Sequence, residues 1–301
     1  MIKANLSCFI AMILWATGFV AAEELLDSWG TLAMLSARLI ISAVFLIFWW
    51  SAMENLRIIV TAPWIRGIWI GALGWGAGGI FLLMGQKLSD PVTTAIVVAM
   101  MPIAAAIIEV LFSDRALTKR LSLGIFLAVV GGFLATGARL WDHSFGLGMV
   151  FCLGAIGAFA WATRMTTRAL ETLSATGQAT ITLIGATFIT LLIYFAAFIL
   201  GFSETEIGVF DHDALFALFI FALPSCAIAQ LFWIWGAGRL GVLLASFHMN
   251  AVPFYVMLIM AGLMSSEWQW TQAVGAFIVV VAVLISQFGL APSERSAKET
   301  I

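Results

Sequence analysis

Polar and charged residues cut the chain into ten long apolar stretches, at about 5–22, 31–51, 65–86, 92–112, 121–138, 146–167, 177–200, 214–237, 241–264 and 270–290. Each holds roughly 20 residues, the length an α-helix needs to cross a hydrocarbon core of about 30 Å. A membrane β-strand needs only about 10 alternating residues, and irregular backbone cannot face lipid, so every stretch is predicted helical. The expected fold class is an all-α membrane protein with ten transmembrane helices. Met1-Ile2-Lys3 and the apolar run that follows resemble a signal peptide. Trp15 stands where a small-residue cleavage site would be needed, however, so the first stretch is read as a retained helix.

The loops are polarised. Assigning alternate loops to one side gathers 11 of the 14 Lys and Arg residues there, among them Arg57, Arg115, Lys119, Arg120, Arg239, Arg295 and Lys298; the other side receives Lys87 and Arg139. The positive side is predicted cytoplasmic, which puts both termini inside. The opposite side collects Glu23, Glu24, Asp27, Glu204, Glu206, Asp211 and Asp213, read as a solvated acidic surface. Arg38, inside the second stretch, is expected to pair with Glu23, Glu24 or Asp27.

Composition narrows the function classes. With 63% hydrophobic residues and only 10% charged ones, little of the chain is left for a soluble domain. The net charge of −2 offers no basic field, so nucleic acid is excluded as a partner. Cys8, Cys152 and Cys226 lie within apolar runs and read as small buried hydrophobes. No cofactor or metal is expected.

The chain repeats itself. Pro102, Gly124 and Gly131 recur as Pro253, Gly275 and Ala282 at an offset of 151, and Trp15-Ala16-Thr17 recurs as Trp161-Ala162-Thr163 at 146. Five helices per copy is an odd number, so the copies must lie upside down relative to each other. An inverted repeat of this kind belongs to transporters, with the substrate site near the midplane between the copies. The units are predicted at 1–140 and 141–290, followed by a cytoplasmic tail at 291–301. Helix interruptions are expected at matching places. Pro224 interrupts the eighth stretch, and at the same offset the third carries Gly71, Gly74, Gly76, Gly78 and Gly79. Gly74, Gly78 and Pro224 are read either as gate residues or, for the GxxxG pair, as a close helix contact.

These features resemble the EamA-type transporters of the drug/metabolite transporter superfamily. The likeness rests on Trp15-Ala16 and Trp161-Ala162 in the first helix of each copy, on Pro102 and Pro253, on Asp114 and Glu267 at the ends of those proline-bearing helices, and on the glycine-containing final helices. It covers the whole chain. Length, ten spans and Ala158-Phe159-Ala160-Trp161-Ala162 look most like the YddG-type exporters of aromatic and other amino acids. The resemblance implies a bacterial inner-membrane exporter of amino acids, working as a monomer with the lipid bilayer and a small-molecule substrate as its partners.

Candidate site residues are polar or aromatic groups deep in spans, where a charge costs about 2.5–3.5 kcal/mol or more. The ninth stretch gathers Ser246, His248, Asn250, Pro253 and Tyr255. On a regular helix His248 and Tyr255 share one face, Ser246 and Asn250 another. His248 is a hydrogen-bond partner between helices or a proton carrier; Glu109 reaches the interface or pairs with Lys119 or Arg115, or else rivals His248 for coupling. Gln230 bonds a substrate or another helix. Trp15 and Trp161, with Met12 and Met101, line an apolar cavity or pack between helices. Arg164 snorkels to the interface or meets a substrate carboxylate. Trp29, Trp49, Trp50, Trp64, Trp141, Trp268 and Trp270 fall at span ends and are expected in the interfacial belts.

Two further classes compete with amino-acid export: a drug or metabolite exporter of the same fold, and an intramembrane lipid-modifying enzyme. The enzyme would need clustered metal ligands or a nucleophile motif, but His143 and His212 fall in loops and only His248 lies in a span. No Walker motif is present to couple ATP directly.

Overall fold

The computed structural model describes residues 1–113, 119, 122–124, 126–127, 130, 143–263, 268 and 270–287. The readings made of Asp114, Arg115, Arg120, Gly131, Arg139, Trp141, Glu267, Arg295, Lys298, the tail at 291–301 and most of the fifth stretch lie outside the described residues.

Among the described residues the regular structure is helical. In chain order the long helices are α1 (Ile2–Leu26), α2 (Thr31–Met53), α3 (Trp64–Lys87), α4 (Pro91–Phe112), α5 (His143–Ala169), α6 (Ala175–Ile199), α7 (His212–Leu240), α8 (Val242–Leu263) and α9 (Trp270–Gln287), with a short helix at Leu56–Val60 between α2 and α3. Eight of them, α1 to α8, are long and apolar enough to cross a membrane. Several begin at side-chain caps that occupy otherwise unpaired backbone N–H groups. Asp90 accepts from Thr93 N at 2.8 Å, Ser174 from Gly177 N at 3.1 Å and Asp211 from Ala214 N at 2.8 Å.

Helix irregularities recur in the two halves of the chain. A π-turn covers Gly71–Gly76 in α3, and another covers Leu223–Ile228 in α7, 152 residues later. In α7 the cause is Pro224, which cannot donate to the preceding turn and is absorbed by the wider π geometry. In α3 three glycines weaken the helix, and the backbone of α6 approaches Gly71 closely. Likewise α4 breaks at Ala99–Met100 just before Pro102, and α8 tightens into a 3-10 segment at Phe247–Ala251 just before Pro253.

The packing is reciprocal between the halves. α1 runs along α7 while α5 runs along α3. Where they cross, a Cβ added at Gly236 would lie 3.1 Å from Ala4 O and 3.3 Å from Cys8 N, and one at Gly85 would lie 3.0 Å from Gly148 O and 3.3 Å from Cys152 N. Each glycine also abuts the sulfur of its facing cysteine. In the same way Gly74 seats against Ala162, and Gly18 against Ser225. In lipid no hydrophobic drive separates helix–helix from helix–lipid contact, so small residues that admit close backbone approach hold such a bundle together. The facing glycine and serine positions differ by 151, but those on α1 and α5 differ by 144. The register in which the helices pack is therefore not the 146 of the Trp-Ala-Thr match, and the packing counterpart of Trp15 is Phe159.

Two tryptophans expected in the interfacial belts are buried instead. Trp29 is 6% exposed and donates through Nε1 to Val209 O at 3.3 Å; Trp50, 1% exposed, covers Gly177 and meets Trp64 at 6.0 Å between ring centroids. Both close a loop or helix contact. Trp49 and Trp270 are exposed as expected.

Candidate functional site

A central cavity of about 70 Å³ opens where α1, α2, α3, α5, α6, α7 and α8 converge. α1 supplies Met12 and Trp15, α2 supplies Leu35 and Arg38, and α3 supplies Trp75 and Gly79. Phe159 comes from α5, Gln230 and Trp233 from α7, and Met249 from α8. Both halves of the chain thus build one site. A larger cleft of about 500 Å³ lies at the helix ends between Leu6, Phe45, Trp49, Thr176 and Trp235, with Lys3 its sole charged lining residue among those described. The central cavity is the better candidate, because ligand sites join apolar walls to a few placed polar groups.

The aromatic walls are fixed from behind. Trp75 Nε1 donates to Thr166 Oγ1 at 3.3 Å, and Trp233 Nε1 donates to Thr163 Oγ1 at 3.1 Å. Phe159 meets Trp15 edge-on at 6.1 Å and Trp75 at 5.6 Å between ring centroids. Rings in such contacts gain about 0.5–1.5 kcal/mol beyond area burial, so the wall is ordered before any ligand enters.

The π-turn of α7 shapes the polar side of the cavity. Two carbonyls at this turn face donors that lie one helical turn apart on α2. Ser42 Oγ donates to Ala222 O at 2.7 Å, and Arg38 Nη2 reaches Ser225 O at 3.5 Å. Arg38 also lies 4.1 Å from the centre of the Phe221 ring. The expected pairing of Arg38 with Glu23, Glu24 or Asp27 is therefore not found. The Arg38 side chain turns to the α7 break, and Glu23 instead accepts from Gln86 Nε2 at 3.2 Å.

Of the site residues expected from sequence, the cavity collects Trp15 and Gln230, with Met12 beside them. The others lie elsewhere. Met101 is fully buried in the core. Trp161 covers Gly74, and Gly78 packs on Phe159. Pro224 sits inside the π-turn. Arg164 donates through Nη2 to Phe112 O at 3.3 Å and lies near that ring. On α8 the lining residue is Met249, whereas His248 Nδ1 sits 3.1 Å from Ala245 O, Asn250 lines a separate shallow pocket with Phe254, and Tyr255 meets Phe9 edge-on. The faces expected of His248, Asn250 and Tyr255 assumed 3.6 residues per turn. The 3-10 segment at Phe247–Ala251 turns every three residues and rotates them away.

At the end that carries the acidic loops, a strap ties the halves together. Lys87 Nζ, at the end of α3, donates to Glu204 Oε1 at 2.7 Å, and Glu204 Oε2 accepts from Thr31 N at 3.3 Å. Gly30 N donates to Glu206 O at 2.8 Å. Burial pushes the Glu204 carboxyl up, but hydrogen bonds from Lys87 and Thr31 outweigh it and hold the group below its ordinary value. A lowered carboxyl stabilises the folded state above the ordinary Glu range and loses that contribution as the pH falls below it. Amide exchange at Thr31, corrected for the intrinsic chemical rate, is thus expected to stay flat across the neutral range and to quicken in acid. Glu204→Gln should exchange faster already at neutral pH; equal protection in the two proteins would show that the carboxylate does not hold the strap.

A polytopic helical membrane protein with an aromatic cavity built by both halves of the chain is the class that the fold and the site define. Residues 2–137 match the EamA-like transporter family. At 25% identity over 240 residues, 76% of this chain and 74% of the relative, the sequence is similar to the uncharacterized transporter YyaM of Bacillus subtilis (strain 168). The first part of the chain is thus similar to a family of membrane transporters, and about three quarters of it to one transporter sequence. A solved crystal structure shares the fold, with a TM-score of 0.72 at 16% identity over 95% of this chain and 97% of that one.

Proposed function

We propose that the protein is a secondary transporter that exports amino acids, preferring aromatic and other apolar side chains, across the bacterial inner membrane by alternating access, as the YddG-type exporters do. The observation that carries the reading is the central cavity, to which both halves contribute and whose walls are Met12, Trp15, Trp75, Phe159 and Trp233. The paired π-turns and the exchanged helix contacts support two inverted five-helix repeats that rock about this site. On the basic asymmetry of the loops, the strap at Lys87 and Glu204 closes the outer mouth and both termini are cytoplasmic. A cavity of about 70 Å³ has room for a few waters at ~10–15 Å³ each and not for an aromatic amino acid, so the helices must part before substrate enters.

Trp15→Ala removes one aromatic wall without touching the bonds that hold Trp75 and Trp233. Efflux of labelled phenylalanine from preloaded cells is expected to fall about tenfold, the equivalent of about 1.4 kcal/mol. Trp49→Ala, on an exposed position, should behave as wild type. Undiminished efflux by a folded, normally expressed Trp15→Ala would take the site out of this cavity.

A further inference from the structure

Two polar groups lining the central cavity have hydrogen-bond capacity that the protein leaves unused. Arg38 Nε is sealed from solvent and has no partner. The contact of its Nη2 with Ser225 O, at 3.5 Å, is at the outer limit of a hydrogen bond. On α7 the Gln230 amide nitrogen is likewise sealed and without a partner. Other polar groups of the lining are engaged: Trp75 and Trp233 are bonded to threonines, and Ser225 Oγ donates to Phe221 O at 2.8 Å. No Asp or Glu occurs among the described lining residues. Nor does a carboxylate pair with Arg38 among them. A guanidinium in apolar surroundings without a counter-charge is costly, and the Phe221 ring returns only part of that cost.

We propose that the missing counter-charge is the substrate's: Arg38 and Gln230 form a carboxylate-binding site, and the aromatic walls receive the apolar body of the same molecule. This rests on the transport reading above and narrows it. The carboxylate is the required group, because a guanidinium and an amide N–H both donate to it. The α-amino group is dispensable, because the cavity offers it aromatic faces but no opposing charge. The ligand class is therefore carboxylates with an aromatic or apolar body, with or without an amine, and organic cations are excluded by the charge that attracts the acids.

Binding to the full chain in nanodiscs, read by quenching of indole fluorescence, tests this with three probes that share a phenyl ring: phenylalanine, phenylpropionate and phenethylamine. Wild type is expected to bind the two acids with affinities within about tenfold of each other and not to bind the amine. Arg38→Gln should weaken both acids by about tenfold or more, Arg38→Lys should keep part of the affinity, and Gln230→Leu should weaken them by a smaller factor. Gel filtration and circular dichroism check the fold of each variant. Should Arg38→Gln fail to fold, the wild-type panel and Gln230→Leu still decide. Preference for the amine, binding of neither acid, equal binding by wild type and a folded Arg38→Gln, or undiminished binding by Gln230→Leu would overturn the proposal. Binding and export separate cleanly here: a protein that binds the acids but does not move them keeps the site and loses the transport reading, and one that moves amino acids equally well in wild type and in folded Arg38→Gln and Gln230→Leu does the reverse.

Discussion

Gly79→Leu is expected to leave the protein folded and to stop it transporting bulky substrates. Gly79 lines the central cavity from α3. A Cβ added there meets only the Leu35 methyl groups, at 3.7 and 3.8 Å, which is ordinary van der Waals contact. Exchange of glycine for a good helix former inside a helix is favourable by about 0.8–1 kcal/mol, so the fold should not suffer. The four-carbon side chain is commensurate with a cavity of about 70 Å³ and would occupy it. Phenylalanine exchange in proteoliposomes should fall by more than about tenfold, while the melting temperature stays at or above that of wild type. Gly79→Ala, which adds one methyl group, should show a smaller loss. Wild-type exchange by Gly79→Leu would show that substrate does not pass this point.

Gly71→Val is expected to have the opposite character and to prevent the protein from accumulating at all. A Cβ at this position would come within 2.7 Å of the Thr182 carbonyl carbon and 2.9 Å of its Cα. Those are backbone atoms of α6, so no side-chain rotation can relieve the clash and the two helices must separate. Overpacking of a close contact costs about 1–3 kcal/mol and more when backbone must move, a large share of a stability of about 5–15 kcal/mol. Gly185 meets the Ile68 backbone in the same way, 2.7 Å from Cα, and Gly185→Val should share the defect. Fluorescence-detected gel filtration reads the outcome. A monodisperse Gly71→Val with wild-type melting temperature would mean that α3 and α6 are not held together here.

The two substitutions act on the same span, only eight residues apart, yet sequence treats the glycines alike. Glycine records that something comes close without recording what does, and only the neighbouring helix decides whether the space beyond is backbone or cavity. The spans themselves were legible because the apolar runs are long: α1 was expected at 5–22 and extends to Ile2–Leu26, since Glu23 and Glu24 continue the last turn into the interface. Pro224 and the glycines of α3 announced paired interruptions, and paired π-turns stand there. Trp15 and Gln230 were singled out because a large ring or an amide deep in a span needs a reason, and both line the central cavity. Arg38 was noticed for the same cause but given the wrong neighbour, because which α7 carbonyl faces α2 is decided by how the two helices pack and not by the apolar pattern. Phe159 was passed over in favour of Trp161, since Trp-Ala-Thr is a visible match at 146 whereas the packing register of 144 shows itself only in Cys8 and Cys152 facing Gly236 and Gly85. His248, Asn250 and Tyr255 were placed by a helical period that the 3-10 segment does not keep.

Counterflow in proteoliposomes tests the central claim most directly. Purified protein is reconstituted with an excess of an unlabelled compound inside, and uptake of its labelled form is followed for a panel of amino acids, nucleosides and cationic drugs. Transient accumulation of labelled phenylalanine, tryptophan, leucine and methionine above that of empty liposomes, with no nucleoside or organic cation accumulating, is the result the account predicts. Accumulation of the cations alone, or no compound of the panel rising above empty liposomes, would contradict it.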